Sequence, residues 1–180
     1  MNIKRLVIFV CLILSTLGCD KVFTLSDPVT KSLSFAEFAQ LPGFKLDYDL
    51  YLPSHINYWS HVDEFKFTFD ANQQIYWLKN IELSRMDEKS PTLDFKISNV
   101  DWHHQFGFGH MRVNPDESVY SVTASDGVVF QLIYSSNASN LSLELPHNTQ
   151  AKYVSFAVKI TNSELKPSAL LYTQLSQTPL

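Results

Sequence analysis

The stretch VDEFKFTFDANQQIYWLKNIELSR, residues 62–85, indicates the fold class of this chain. Phe65, Phe67 and Phe69 alternate with polar residues, so a strand here carries three aromatic rings on one face. The polar segment 70–74 predicts a turn, because Asp and Asn tolerate left-handed backbone. The stretch therefore predicts a β-hairpin whose first strand has one apolar face.

The second strand of this hairpin, residues 75–83, is apolar on both faces. Ile75 and Trp77 point one way, and Tyr76 and Leu78 point the other. A strand buried on both faces is typical of the middle of a sheet. We therefore expect it to have a neighbour on each side.

Residues 34–41 are the one helix candidate. Ser34 is a suitable N-cap, and Glu37 stands at the spacing of a capping box. Pro42 and Gly43 end the segment. Because two helical turns are not stable alone, its apolar stripe must dock on the sheet or close the end of a sandwich.

The remaining chain reads as short alternating strands separated by turns. Asp126-Gly127 between two such runs predicts a further hairpin. The pattern predicts an all-β fold, an antiparallel β-sandwich or barrel, in one domain over residues 34–180. Beyond the hairpin, strands are predicted at residues 46–51, 93–97, 111–113, 118–123, 128–134, 141–145, 154–160 and 169–175, with 22–25 as a candidate edge strand.

The N-terminus has the pattern of a secretory signal peptide. Lys4 and Arg5 precede residues 6–14, an unbroken apolar run of nine residues. A bilayer-spanning helix needs ~20 apolar residues, so the run is too short for a permanent span.

Residues 15–19, Ser-Thr-Leu-Gly-Cys, resemble the lipobox of bacterial lipoproteins, with Thr16 and Leu17 where the commonest form has Leu and a small residue. The resemblance implies that residues 1–18 are removed and that Cys19 becomes the lipidated first residue, with residues 19–33 as a tether. Two alternatives stay open. Cleavage without lipidation would leave an unpaired exported thiol, and retention would leave an uncleaved anchor.

The same resemblance places the protein on the bacterial cell envelope, facing the periplasm. Asp20 resembles the residue that retains such proteins in the inner membrane, although the outer membrane stays open. Without Lys4 and Arg5 the chain has 12 basic and 18 acidic residues, a net charge of −6. An acidic body argues against nucleic acid as a partner. The expected partners are the membrane, through the lipid, and an envelope glycan or an envelope protein.

Residues 65–83 also resemble part of the galactose-binding-like jelly-roll domains. In those domains a strand ending in Asp leads through a turn into a strand with an apolar-x-apolar end, as at Asp70 and at Ile81 and Leu83. Such domains occur in carbohydrate-binding modules and in envelope proteins of polysaccharide assembly. The resemblance implies a jelly-roll sandwich and a glycan ligand.

Two aromatic loops are the candidate ligand site. Sugar recognition needs a flat apolar ring beside hydrogen-bonding groups. The alternative is that Trp59 and Trp102 close the ends of the sandwich, as large rings often do. The candidate residues are Tyr58, Trp59 and His61 in the first loop and Asp101, Trp102, His103 and His104 in the second.

The sequence predicts no metal site, no other cofactor and no catalytic residue. His103, His104 and His110, like His61 with Asp63 and Glu64, have no recognised ligand spacing. GxSxG is absent, and the SxxK match at residues 163–166 lies in a polar connection. The acid pairs Asp47 with Asp49, Asp87 with Glu88, and Asp116 with Glu117 would have to face each other across a cleft to form a glycosidase.

Three functions are therefore open. The first is a lipid-anchored, non-catalytic lipoprotein that binds a glycan or assists envelope assembly. The second is a protein-interaction or structural subunit of an envelope complex, and the third is a hydrolase that uses loop carboxylates.

Overall fold

The alternating pattern of the chain folds into two β-sheets and one short helix. The computed structural model describes residues 30–86, 92–108, 119–124, 127–146, 148–161 and 167–180. The helix is α1 (Phe35–Gln40), and the strands are β1 (Thr30–Ser32), β2 (Thr68–Asp70), β3 (Ile75–Glu82), β4 (Thr92–Phe95), β5 (Ile97–Ser98), β6 (Gln105–Gly107), β7 (Val119–Thr123), β8 (Val128–Ser135), β9 (Asn140–Glu144), β10 (Tyr153–Ile160) and β11 (Ser168–Ser176).

The two sheets form an antiparallel sandwich. The large sheet has the order β2-β3-β10-β11-β8-β6-β5, with β1 paired to β8, and the small sheet has the order β4-β9-β7. Among the described strands, only β7 and β9 pair in parallel. The predicted all-β, antiparallel β-sandwich is confirmed, with this one exception. The jelly-roll resemblance stays a prediction.

The hairpin at residues 62–85 is confirmed, although its first strand is shorter than expected. Thr68 pairs with Trp77 and Asp70 with Ile75. The segment Asp63–Phe65 is a turn of 3₁₀-helix, so β2 begins only at Thr68. On its other side β3 pairs with β10, as its two apolar faces predict.

The two faces of β3 serve two different cores. Tyr76 and Leu78 belong to the main hydrophobic cluster, to which both sheets contribute. Ile75 and Trp77 belong to a second cluster on the outer face of the large sheet, together with Phe38 of α1. One strand therefore joins the sandwich core to the helix.

Helix α1 forms as its sequence predicts. The Glu37 N–H donates to Ser34 Oγ at 3.3 Å and the Ser34 N–H donates to Glu37 Oε2 at 2.8 Å, which completes the capping box. Phe38 is fully buried and stacks on Tyr172 of β11 at 5.5 Å. Docking on the sheet supplies the stability that two turns lack.

Three strand predictions are wrong. The strand predicted at residues 93–97 divides into β4 in the small sheet and β5 in the large one. Residues 46–51 form no strand, because the Leu46 N–H donates to the side-chain Oη of Tyr76 rather than to a neighbouring strand. Tyr51 makes only isolated bridges, to Lys66 and Ser98. Nor do the strands on either side of Gly127 form a hairpin, because β7 lies in the small sheet and β8 in the large one. Gly127 has φ +82°, a left-handed backbone conformation that favours glycine, and it directly precedes β8.

Several sequence predictions fall outside the described residues. They include Cys19 and the whole signal segment, His110, the strand at residues 111–113 and the SxxK match at residues 163–166. Strand β1, at the end of the segment predicted as a tether, pairs with β8. Within the described ranges, no helix has the length and apolar character needed to cross a membrane.

A buried lysine holds the end of α1 on the sheet. Lys159 of β10 is fully buried, and its Nζ donates to the carbonyl oxygens of Ala39 at 2.8 Å and Leu41 at 2.5 Å. Helix ends leave such carbonyls without partners inside the helix. Lys159 therefore donates to two carbonyl oxygens at the end of the helix.

We expect Lys159→Met to lower the free energy of unfolding by about 1–3 kcal/mol, the usual effect of removing one partner of buried hydrogen bonds. Urea unfolding measures this, with exposed Lys152→Met as the matched control. An unchanged or higher stability of Lys159→Met would show that the cost of burying the charge outweighs its two hydrogen bonds.

Candidate functional site

The first aromatic loop is held rigidly in a strained conformation. Tyr58 and Trp59 both have left-handed backbone, with φ 54° and 58°. The Trp59 N–H donates to the Ser54 carbonyl at 2.7 Å, and the Asn57 amide bridges Ser54 N–H and Leu52 C=O at 2.8 and 3.0 Å. Consecutive left-handed residues other than Gly are rare, because their side chains crowd the backbone. The turn leaves the Tyr58 side chain 91% exposed.

Asn99 organises the second loop. The Asn99 N–H donates to the His104 carbonyl at 3.0 Å, and the His104 N–H donates back to Asn99 Oδ1 at 2.9 Å. Asn99 also donates to Asp101, whose other carboxylate oxygen lies 3.2 Å from His103 Nδ1. Trp102 has φ 64°, so this loop too contains a left-handed residue.

His61 joins the two loops. Its ring packs edge-on against Trp102, with centroids 4.5 Å apart, and against Tyr51 at 5.5 Å. Its Nε2 shares a hydrogen bond with Ser98 Oγ at 3.0 Å. Burial lowers the pKa of His61, and the charge of Asp101 offsets part of that effect. The imidazole is therefore neutral near pH 7 and acts as a structural bridge.

Lys96 and Ser98 lie beneath this bridge, and no sequence pattern predicts a role for either. Ser98 is fully buried, so its hydroxyl cannot reach a substrate and the Ser–His contact is not a nucleophile with its base. Lys96 is 8% exposed, donates to Gln105 Oε1 at 3.1 Å and lies 5.9 Å from the Trp102 ring centre. Burial lowers the pKa of Lys96. Lys96 therefore lies against Trp102, and Ser98 holds the His61 ring that packs on Trp102.

His103 and His104 have different environments, as expected for adjacent residues. The His103 side chain is 79% exposed, whereas His104 stacks on Tyr48 at 4.1 Å with the rings 12° apart. The Tyr134 hydroxyl lies 3.1 Å from His104 Nδ1. Within the described ranges, no group of three His, Cys, Asp or Glu residues is placed to hold a metal ion.

The structure reveals a cleft beside these loops that the sequence did not predict. Its volume is about 530 Å³, within the range of about 300–1,000 Å³ usual for ligand sites. One wall is residues 45–49, the other is residues 66–69, and Tyr76 lies between them. We call it the Tyr48 cleft; its lining residues are Lys45, Leu46, Asp47, Tyr48, Asp49, Lys66, Phe67, Thr68, Phe69 and Tyr76.

The Tyr48 cleft opens where two paired segments of the chain separate, residues 50–52 and residues 65–67. The Leu52 N–H donates to the Phe65 carbonyl at 2.9 Å and the Phe67 N–H donates to the Leu50 carbonyl at 2.8 Å. Beyond that point residues 45–49 leave β2, and the Leu46 N–H donates to Tyr76 Oη at 2.6 Å. Tyr76 thus holds the wall away from the strand.

Positive, negative and hydroxyl groups all line the Tyr48 cleft. Lys66 Nζ lies 2.6 Å from Asp49 Oδ2, and both residues line the cleft. Burial raises the pKa of Tyr48, and the neighbouring Tyr134 and Asp47 add to the rise. Burial also raises the pKa of Tyr76. Both phenols therefore keep their protons at neutral pH and can donate as well as accept hydrogen bonds.

Some of the predicted site residues pack against other side chains, and the others are exposed on the surface. His61 contacts Trp102, and His104 stacks on Tyr48 in the wall of the cleft. Trp59 and Trp102 are partly buried, and neither lines the Tyr48 cleft. Tyr58 and His103 are open to solvent. The acid pair Asp47 and Asp49 is visible in the sequence, but its place in the cleft depends on contacts with residues 66–76.

Comparison with protein-family models, with curated proteins and with solved structures gives no match for this chain. Function must therefore be inferred from the site itself, since a fold alone does not imply one.

The buried bridge predicts a pH effect on stability. Because its pKa is lowered in the folded chain, His61 takes up a proton at higher pH in the unfolded chain, where the ordinary value is about 6.5. The free energy of unfolding therefore falls as the pH drops below that value. We expect His61→Gln to lose less stability than the parent chain between about pH 7.5 and pH 5.

Urea unfolding at a series of pH values measures this difference. His103→Gln, at an exposed histidine of the neighbouring loop, is the matched substitution. An equally steep loss in His61→Gln would assign the acid sensitivity to other groups.

Proposed function

We propose that this chain is a bacterial envelope lipoprotein that binds a glycan in the Tyr48 cleft without catalysing a reaction on it. The observation that carries the proposal is the open cleft, in which aromatic rings lie among carboxylates, amines and hydroxyls. The lipid anchor is supported by the lipobox-like residues 15–19 alone.

Aromatic rings in the cleft suit the apolar face of a sugar. Phe69 and Tyr76 pack with their centroids 4.8 Å apart, and Tyr48 lies on the opposite wall. The stack on His104 fixes the Tyr48 ring before any ligand arrives. A ring that is already held loses little conformational freedom on binding, which favours affinity.

Polar groups on both walls suit the hydroxyls of a sugar. Asp47 and Asp49 supply acceptors, while Lys45 and Lys66 supply donors. The Thr68 hydroxyl can do both. Such a set can engage neighbouring hydroxyl groups from two sides and fix their orientation.

The cleft supports binding better than glycoside hydrolysis. A glycosidase needs two carboxyl groups that flank the scissile bond from opposite sides. Asp47 and Asp49 lie on the same wall, and the described residues of the opposite wall contribute Lys66 and Thr68 but no carboxylate. The pairs Asp87 with Glu88 and Asp116 with Glu117 lie outside the described residues.

We expect Tyr48→Ala and Asp47→Asn each to weaken glycan binding about tenfold, which corresponds to ~1.4 kcal/mol for one lost ring contact or charged hydrogen bond. Isothermal titration of the purified protein with gluco-, manno-, galacto- and N-acetylglucosamine oligosaccharides measures this.

The matched control for Asp47→Asn is Asp63→Asn, an exposed aspartate that does not line the cleft. Trp102→Ala tests the loops separately. If Trp102→Ala abolished binding while Tyr48→Ala and Asp47→Asn bound normally, the ligand would lie on the aromatic loops instead. Absence of binding to every oligosaccharide would reject the glycan proposal.

The anchor is tested by its own pair of variants. We expect Cys19→Ser to move the protein from the membrane pellet to the supernatant, because it removes the only thiol expected to carry lipid. Cys11→Ser is the matched control and should stay in the pellet, since Cys11 lies within the apolar run of the signal. Pelleting of Cys19→Ser in the uncleaved form would favour a retained N-terminal anchor.

A further inference from the structure

A second cleft adjoins the first at the edge of the large sheet. Its volume is about 420 Å³, and we call it the Trp77 cleft. Lys66 and Thr68 line both clefts, so the two adjoin at the edge of the sheet. The residues that line the Trp77 cleft are Lys66, Thr68, Asp70, Trp77, Leu78 and Lys79.

The two clefts lie on opposite faces of the sheet, with β2 between them. Tyr76, in the Tyr48 cleft, belongs to the core between the sheets, whereas Trp77 belongs to the cluster beneath α1. Neighbouring residues on a strand point to opposite faces, which accounts for this division. Because β2 ends the large sheet, a flexible ligand can pass around its edge from one cleft to the other.

The combined surface carries equal numbers of positive and negative groups. Its lining contains three lysines and three aspartates: Lys45, Lys66 and Lys79 with Asp47, Asp49 and Asp70. The full chain is acidic, with a net charge of −4, and without Lys4 and Arg5 it carries −6. A polyanion would meet repulsion from the body, and a polycation would find no net negative site in the clefts.

Each cleft also contains an aromatic ring beside a charged group. Lys79 Nζ lies 4.9 Å from the Trp77 ring centre, and the Trp77 indole N–H donates to Gln73 Oε1 at 3.2 Å. The Tyr48 cleft has Tyr48 and Phe69 among its acids and amines. Charged groups therefore lie on both sides of one strand, although Trp77 is only 9% exposed and its ring already packs against Phe35.

The edge of β2 offers little to an extended peptide. A peptide that adds to a sheet depends on a row of free backbone groups. The Phe67 N–H already donates to the Leu50 carbonyl, and strand alternation then leaves Phe69 alone with backbone groups directed outward from β2. Side-chain recognition of a glycan fits this edge better than strand addition.

We propose that the ligand is an uncharged glycan chain of several sugar units that crosses the edge of β2 and occupies both clefts. This rests on the proposed function, because it names the kind of glycan that the Tyr48 cleft binds. Lys66 and Thr68 contact the middle of the chain, and each cleft takes one end.

Titration with oligosaccharides of increasing length and different charge tests the proposal. The probes are neutral gluco-, manno- and galacto-oligosaccharides from one to about six units, with galacturonate and glucosamine oligomers of equal length. We expect affinity to rise about tenfold or more between two and five units of one neutral series, since the second cleft then engages intramolecularly. Charged oligomers should bind about tenfold more weakly, and raising salt from about 0.05 to 0.5 M should change the affinity for the neutral chain less than about twofold.

A charge-neutral double variant separates the two clefts. Asp70→Asn with Lys79→Gln should remove the gain with length and leave binding of the shortest ligands unchanged. Asp63→Asn with Lys31→Gln is the matched control, because both residues are exposed and neither lines a cleft.

The outcomes distinguish this inference from the function beneath it. Equal affinity for a single sugar and for its oligomers, or preference for the galacturonate chain, would overturn the inference and leave glycan binding intact. An extended peptide that displaces the bound neutral chain with higher affinity would overturn it in favour of a protein ligand. Failure of every saccharide to bind would reject both proposals.

Discussion

The burial of β3 on both faces is the constraint on which the rest of the structure depends. Its inner face supplies Tyr76 and Leu78 to the core between the sheets, and its outer face supplies Ile75 and Trp77 to the cluster that holds α1. The same strand also shapes the surface. Tyr76 extends from the core to the Leu46 N–H and thereby holds the wall of the Tyr48 cleft in place, while Trp77 lines the cleft on the other side. Packing of the core and the shape of the site are therefore set by neighbouring residues of one strand.

Local sequence patterns predict many elements of the fold, whereas the pairing of the strands depends on contacts between residues far apart in sequence. The capping box at Ser34 and the hairpin through β2 and β3 depend on residues close in sequence, and both are confirmed. The Asp126-Gly127 prediction was wrong because a turn signal reports a change of direction and not the sheet that the next strand joins. Residues 46–51 alternate as a strand does, yet a tyrosine hydroxyl thirty positions away takes the hydrogen bond that a neighbouring strand would have taken.

The candidate site shows the same division. Loop composition predicts His61, Trp102 and His104 as ligand-binding residues. In the structure His61 packs against Trp102, and His104 stacks on Tyr48 of the cleft. Lys96 and Ser98, which support Trp102 and His61, lie in a segment that reads as an ordinary strand. The cleft forms because the segments before Leu50 and after Phe67 move apart beyond their last shared hydrogen bond. No local sequence pattern indicates this separation. A short-range reading of the sequence can find aromatic and acidic residues, but it cannot show which of them line the same cavity.

The ion pair between Lys66 and Asp49 favours a binding role for the Tyr48 cleft. Both side chains are substantially exposed, and pairs in that position contribute little to folding stability. Backbone hydrogen bonds at Leu50 and Leu52 already join the two segments, so the fold does not need the ion pair to hold these segments together. What the pair does fix is the distance between a donor and an acceptor on opposite walls of an open cleft. If the proposed glycan binds here, its hydroxyl groups would replace each partner of the pair in turn, so one set of hydrogen bonds would be exchanged for another at a site that the ion pair already holds in place.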